Sequence, residues 1–102
     1  MTAQRPKAVP TIQLDDERVC TTLWRFAPGA ETGWHRHGHA YVVVPLADGD
    51  LLLEEPDGTS RIVTLSLGGS YTRGEGVEHN VVNPSMSEPF AFVEIELKQN
   101  SP

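Results

Sequence analysis

The sequence is nearly without cysteine: Cys20 is the single one in 102 residues. No internal disulfide can form, which excludes a small secreted scaffold held by such bridges. With no partner to lower its pKa, Cys20 reads as a small buried hydrophobe. Basic residues are also scarce, 8 against 14 acidic ones, for a net charge of −6. No block of lysine or arginine exists, so nucleic acid is not an expected partner, because phosphate binding relies on clustered positive charge. Long apolar runs are missing as well. The longest, Ala40 to Ala47, is interrupted by Pro45 and falls far short of the roughly 20 residues a membrane helix needs. The opening MTAQRPKAVPTIQ lacks the apolar stretch of a signal peptide. A cytoplasmic protein with no membrane partner is therefore expected. No G-x-S-x-G, phosphate-binding loop or dinucleotide fingerprint occurs, and no segment sustains a helical hydrophobic period.

What remains is β throughout. Residues 1–12 contain two prolines and mixed charge and read as a loose arm. Residues 13–98 form one domain, since the chain is too short for a second core, and 99–102 form a short tail. Strands are expected at Val19–Phe26, Trp34–His37, Tyr41–Val44, Leu51–Glu54, Arg61–Leu67, Glu78–Val82 and Phe90–Leu97. Pro28-Gly29, Asp48-Gly49 and Pro56-Asp57-Gly58 punctuate them. Such spacing argues for a sandwich or a barrel. In the last strand Ala91, Val93, Ile95 and Leu97 alternate with Phe90, Phe92, Glu94 and Glu96. The first set makes a wholly apolar face; on the other, Phe90 and Phe92 are candidates to line a cavity, while Glu94 and Glu96 read as solvated edge charges.

The chemistry concentrates in two stretches. Gly29 is followed by five residues and then His35-Arg36-His37; Gly68 is followed by five and then Gly74-Glu75-Gly76-Val77-Glu78-His79, with Asn83 beyond. In extended backbone, residues two apart share a face, so His35 and His37 project side by side. Neutral imidazole is a preferred ligand for iron, zinc, nickel and copper. The three histidines are the candidate metal ligands.

These stretches resemble the paired motifs of the cupin superfamily, G-x5-H-x-H-x3,4-E-x6-G and G-x5-P-x-G-x2-H-x3-N. Gly29, His35, His37, Gly68, Gly76, His79 and Asn83 fall on the pattern. Three positions depart from it: the glutamate is replaced by Tyr41 (or Val42 at the longer spacing), the proline by Gly74, and the glycine closing the first motif shifts to Gly49. The likeness covers over half the chain. Within the superfamily, the string GWHRHGHAYVVVPLADG is similar to a bacterial group of β-alanine degradation cupins. The resemblance implies an all-β, double-stranded β-helix (jelly-roll) barrel and a homodimer. It also implies a divalent ion, whether iron, zinc, nickel or manganese, on His35, His37 and His79.

Without the glutamate, three neutral ligands leave the ion's +2 uncompensated, which favours a small anionic ligand. Tyr41 is the candidate catalytic residue. Its ordinary pKa of about 10 opposes ligation as phenolate, leaving two readings: a hydrogen bond to a bound water or substrate, or a structural place in the wall. His39 reads as a rim residue, Arg25 and Arg73 as ordinary solvent-exposed arginines that are best placed to steer an anion only if either faces the cavity, and Trp24 and Trp34 as wall or contact aromatics. In the resembling superfamily, three-histidine iron sites occur in dioxygenases. A dioxygenase acting on a small carboxylate or diketone is therefore the favoured expectation; a non-enzymatic binding or sensor protein and a metal-assisted isomerase or lyase are the alternatives.

Overall fold

Glycine and proline turns cut the chain into nine strands, with no helix, among residues 4–98, which the computed structural model describes. In chain order they are β1 (Val9–Asp15), β2 (Val19–Phe26), β3 (His35–Arg36), β4 (Tyr41–Pro45), β5 (Gly49–Glu54), β6 (Ser60–Leu65), β7 (Tyr71–Arg73), β8 (Glu78–Val82) and β9 (Phe90–Leu97). They pair antiparallel in two sheets, ordered β1-β2-β9-β4-β7 and β3-β8-β5-β6. Strands distant in sequence lie side by side, β2 against β9 and β5 against β8. This is the expected double-stranded β-helix, closed as a jelly roll.

The two inner faces supply the core. On β4, Tyr41, Val43 and Pro45 are buried while Val42 and Val44 are half-buried; on β5, Leu51 and Leu53 take the inner places. Phe26 and Phe92 meet across the β2–β9 pair with ring centroids 5.5 Å apart and a tilt of 34°, and each such buried aromatic removes 150–250 Å² of surface from water. Gly49 explains its own place: a Cβ there would stand 2.9 Å from two carbons of the Phe90 ring, so only glycine lets that ring seat.

Two expectations are corrected. On β9 Phe90 and Phe92 are buried and Phe92 lines the cavity, so the next inward position belongs to Glu94, which is not the solvated edge charge expected. Ala91, Val93, Ile95 and Leu97 face outward. The barrel needed the larger aromatic volume inside, and alternation alone does not choose between two largely apolar faces. The arm, too, is shorter than 1–12. β1 starts at Val9 and pairs with β2, Ala8 is buried, and Arg5 makes ion pairs with Glu31 and Glu54. Every residue of β1 is exposed, so this edge strand carries no burial alternation to betray it. The tail at 99–102 and residues 1–3 lie outside the described residues.

Candidate metal centre

Sheet register builds the centre. β3 and β8 pair so that His35 stands directly opposite His79, and His37 continues the ladder by donating its backbone N–H to the Val77 carbonyl at 2.8 Å. The turn that returns the chain to β8 depends on Gly76, whose φ of 90° is a conformation L side chains rarely adopt and whose N–H binds the His37 carbonyl at 2.8 Å. One imidazole from each of positions 35, 37 and 79 therefore enters the same end of the barrel. Nε2 of His37 lies 3.0 Å from Nε2 of His35 and 3.1 Å from Nε2 of His79.

The separations fit a shared ion. Two nitrogens each ~2.1 Å from one metal lie roughly 3.0 Å apart when they subtend a right angle, and roughly 3.4 Å apart at the tetrahedral angle. The observed spacings match the right angle. The three rings are thus positioned to hold a metal ion.

Tautomer and charge agree with that role. Nδ1 of His35 donates to the Gly33 carbonyl at 2.8 Å, which in the neutral ring leaves the Nε2 lone pair facing the cluster. Gly33 is itself fixed, its N–H donating to Oδ1 of Asn80 at 2.9 Å. Asn80 is buried and its amide donates to Glu31 and Glu54, both at 2.8 Å, while Arg5 binds the same two carboxylates. The Asn80 amide chiefly holds Glu31 below the usual carboxylate range, and Arg5 chiefly does so for Glu54. Burial, then His35 and Arg73, lowers His37 to about 4; burial, then the neighbouring histidines, lowers His79 to about 3. Both rings are neutral at pH 7, the form that ligates. Nδ1 of His79 is buried with no hydrogen-bond partner among the described residues.

Tyr41 sits face to face with His37, ring centroids 3.8 Å apart and 20° from parallel. Its hydroxyl is buried and has no partner among the described residues, and burial pushes the phenol above its ordinary pKa. A phenolate ligand is thereby disfavoured; a hydroxyl ready to donate to a guest is what remains. His39 lies outside the cluster, its Nε2 3.5 Å from Glu96. Arg73, opposite Tyr41 in the β4–β7 register, is half-buried at the site. Arg25 is exposed on the outer face, opposite Ala91, and cannot steer an anion into the cavity. Trp24 joins the cavity wall, whereas Trp34 is 56% exposed.

The cavity beside the histidines is narrow, with about 10 Å³ open to a water-sized guest, and is walled by Trp24, Thr32, Tyr41, Tyr71, Phe92 and Glu94. Sequence reasoning missed Glu94, Tyr71 and Asn80. Glu94 was legible only through the aromatic pair two and four residues earlier on its face. Burial, then Glu96, raises Glu94 to about 7.

No family model matches the chain. Its structure is similar to the crystal structure of a cupin domain from Bordetella pertussis Tohama I, with a TM-score of 0.91 and 60% sequence identity over 96% of this chain and 100% of that one. A cupin superfamily protein from Desulfitobacterium hafniense DCB-2 shares the fold at 14% identity, with a TM-score of 0.71 over 97% of this chain and 84% of that one. The chain belongs to the cupin superfamily. Within it, the sequence is 62% identical over 94 residues to the "Beta-alanine degradation protein BauB" of Pseudomonas aeruginosa strain PAO1, covering 92% of this chain and 97% of that protein.

Proposed function

We propose that this cupin is a metal-dependent enzyme acting on a small carboxylate or diketone, with one divalent ion held by His35, His37 and His79. The observation that carries the reading is the convergence of three Nε2 atoms at 3.0 and 3.1 Å, with an uncharged tyrosine in the motif's glutamate position. The right-angled spacing favours iron, manganese or nickel over tetrahedral zinc. A bound ion would supply Lewis acidity toward a substrate's oxygens and, if iron, dioxygen activation. The chain's own groups bind and orient: Arg73 attracts an anion to the mouth, and the Tyr41 hydroxyl donates to an oxygen atom of the guest. The name of the Pseudomonas relative supports a substrate among small carboxylates linked to β-alanine breakdown.

An oxygen-consuming subtype is tested by iron-dependent oxygen uptake with small keto acids and diketones. Binding without uptake under iron loading contradicts that subtype. The isomerase or lyase reading gains a specific observation, the inward carboxyl of Glu94. We also propose a homodimer, in which the outward apolar residues of β9 and β4 meet those of a second copy.

A further inference from the structure

Glu94 stands at an inward place of β9, in register with Val43 of β4 and Thr22 of β2, and it lines the same cavity as His35 and His79. Among the described residues no lysine or arginine is paired with it. Tyr41 of β4, Tyr71 of β7, His35 of β3, His79 of β8 and Trp24 of β2 line the cavity with it. Its charged neighbour along the strand is another carboxyl, Glu96, whose own partner is His39. Arg73 bears on both tyrosines and both buried histidines but is not among the groups that bear on Glu94. While the histidine cluster holds no ion, a desolvated carboxyl with no paired cation is costly to the fold. The same wall elsewhere is built of Val43, Leu51 and Val81, which would fill position 94 more cheaply if packing were its purpose.

We propose that Glu94 is the acid–base group of this cavity, moving a proton on and off the carbon next to a carbonyl of a small keto acid whose oxygens sit at the histidine cluster once the cavity, which has room for about one water as it stands, widens to admit it. This rests on the metal-centre reading above and names the proton carrier that reading lacks. In the step, the Glu94 carboxylate takes a proton from the carbon beside the carbonyl. The C–H electron pair becomes the C=C bond of an enolate, whose charge rests on the former carbonyl oxygen. Return of a proton from Glu94 to carbon restores the keto form, so no oxidant or reductant is needed. The Tyr41 and Tyr71 hydroxyls on the same wall can donate to the enolate oxygen.

The test uses the intact metal-loaded chain with pyruvate as the probe in D2O. Deuterium uptake at the methyl carbon is followed by NMR; metal equivalents and pyruvate affinity are measured on the same samples. Wild type should accelerate exchange over the free ion in buffer. Glu94→Gln keeps the shape and removes the proton carrier, so exchange should fall by ~100-fold or more with metal content and pyruvate affinity unchanged. Glu94→Asp, which keeps a shorter carboxyl, should recover part of the rate. Exchange as fast in Glu94→Gln as in wild type overturns the proposal, and so does loss of pyruvate binding in that variant. Wild-type protein that holds metal and binds pyruvate without exchange overturns it too, while leaving the metal centre standing. A chain that takes up no divalent ion fails at the earlier reading and takes this one with it.

Discussion

At position 41 a single side chain sets the charge of the centre. Tyr41→Glu places an ionised carboxylate (ordinary pKa about 4.3) where a neutral phenol stands, so it should tighten metal retention in chelator competition and weaken binding of small carboxylates. Unchanged affinities would mean that position 41 does not face the ion. Tyr41→Phe removes a buried hydroxyl with no partner among the described residues; the metal-free protein should gain about 1 kcal/mol in urea unfolding, and a loss would contradict the orphaned state. The histidines carry a second prediction, in pH. Unfolded imidazoles take protons near 6.5, but His37 and His79 in the fold do so only near 4 and 3. The unfolded chain thus binds more protons in that window, and stability of the metal-free protein falls as pH drops from 6.5 toward 4, by up to ~1.4 kcal/mol per unit for each ring. Glu94 acts oppositely, keeping its proton in the fold up to about 7 against an ordinary 4.5, so its contribution is lost as pH rises through that range. Urea titrations should therefore show a steeper acid loss in Glu94→Gln than in wild type. At this scale the ligands were legible, because H-x-H and a third histidine at fixed spacing leave few other arrangements. Glu94 was not, because a glutamate on an alternating strand reads as solvated unless the other face is known to point outward.

The strands β2, β8 and β9 lie where β-branched and aromatic runs between glycine and proline signals put them, with the expected bounds. Their hydrophobic content is high enough that turn chemistry alone delimits them. β1 and β7 were not legible. β1 is exposed throughout and β7 has only 3 residues, so each is a strand because a neighbour supplies hydrogen bonds, not because of its own pattern. Nor does any local pattern reveal how Asn80 ties β8 to the loop before β3, since its partners Gly33 and Glu31 lie 47 and 49 residues away. Asn80→Ala removes that tie and leaves the two glutamates without their amide donor. It should cost about 1–3 kcal/mol in urea unfolding and weaken metal binding by ~10–100-fold through the freed Gly33–His35 contact. Retained affinity in a destabilised protein would reduce Asn80 to a purely structural part.

For the molecule as a whole, the outer face of the β1-β2-β9-β4 sheet is the informative surface. Val9, Leu14, Leu46 and Leu97 on it are 56%, 48%, 45% and 39% exposed, and Leu23, Val42, Val44, Val93 and Ile95 fill the space between them as half-buried residues. A small domain buries a modest share of its surface, and pairing this face with a second copy would cover it. Sedimentation should give a dimer at micromolar concentration, and Ile95→Glu should give a monomer that still binds metal; a wild-type monomer would contradict the proposal. The fold was legible at this scale because the two motifs bracket over half the chain and fix which strands must meet. The outward turn of the aliphatic face of β9 was not, since only packing of the aromatic face decides it. The measurement that bears most directly on the account is metal content per chain after dialysis, in wild type, His37→Ala and His79→Ala. The account predicts one divalent ion per wild-type chain and loss of most of it in both variants, each left with two protein ligands. A full equivalent retained in both would contradict it.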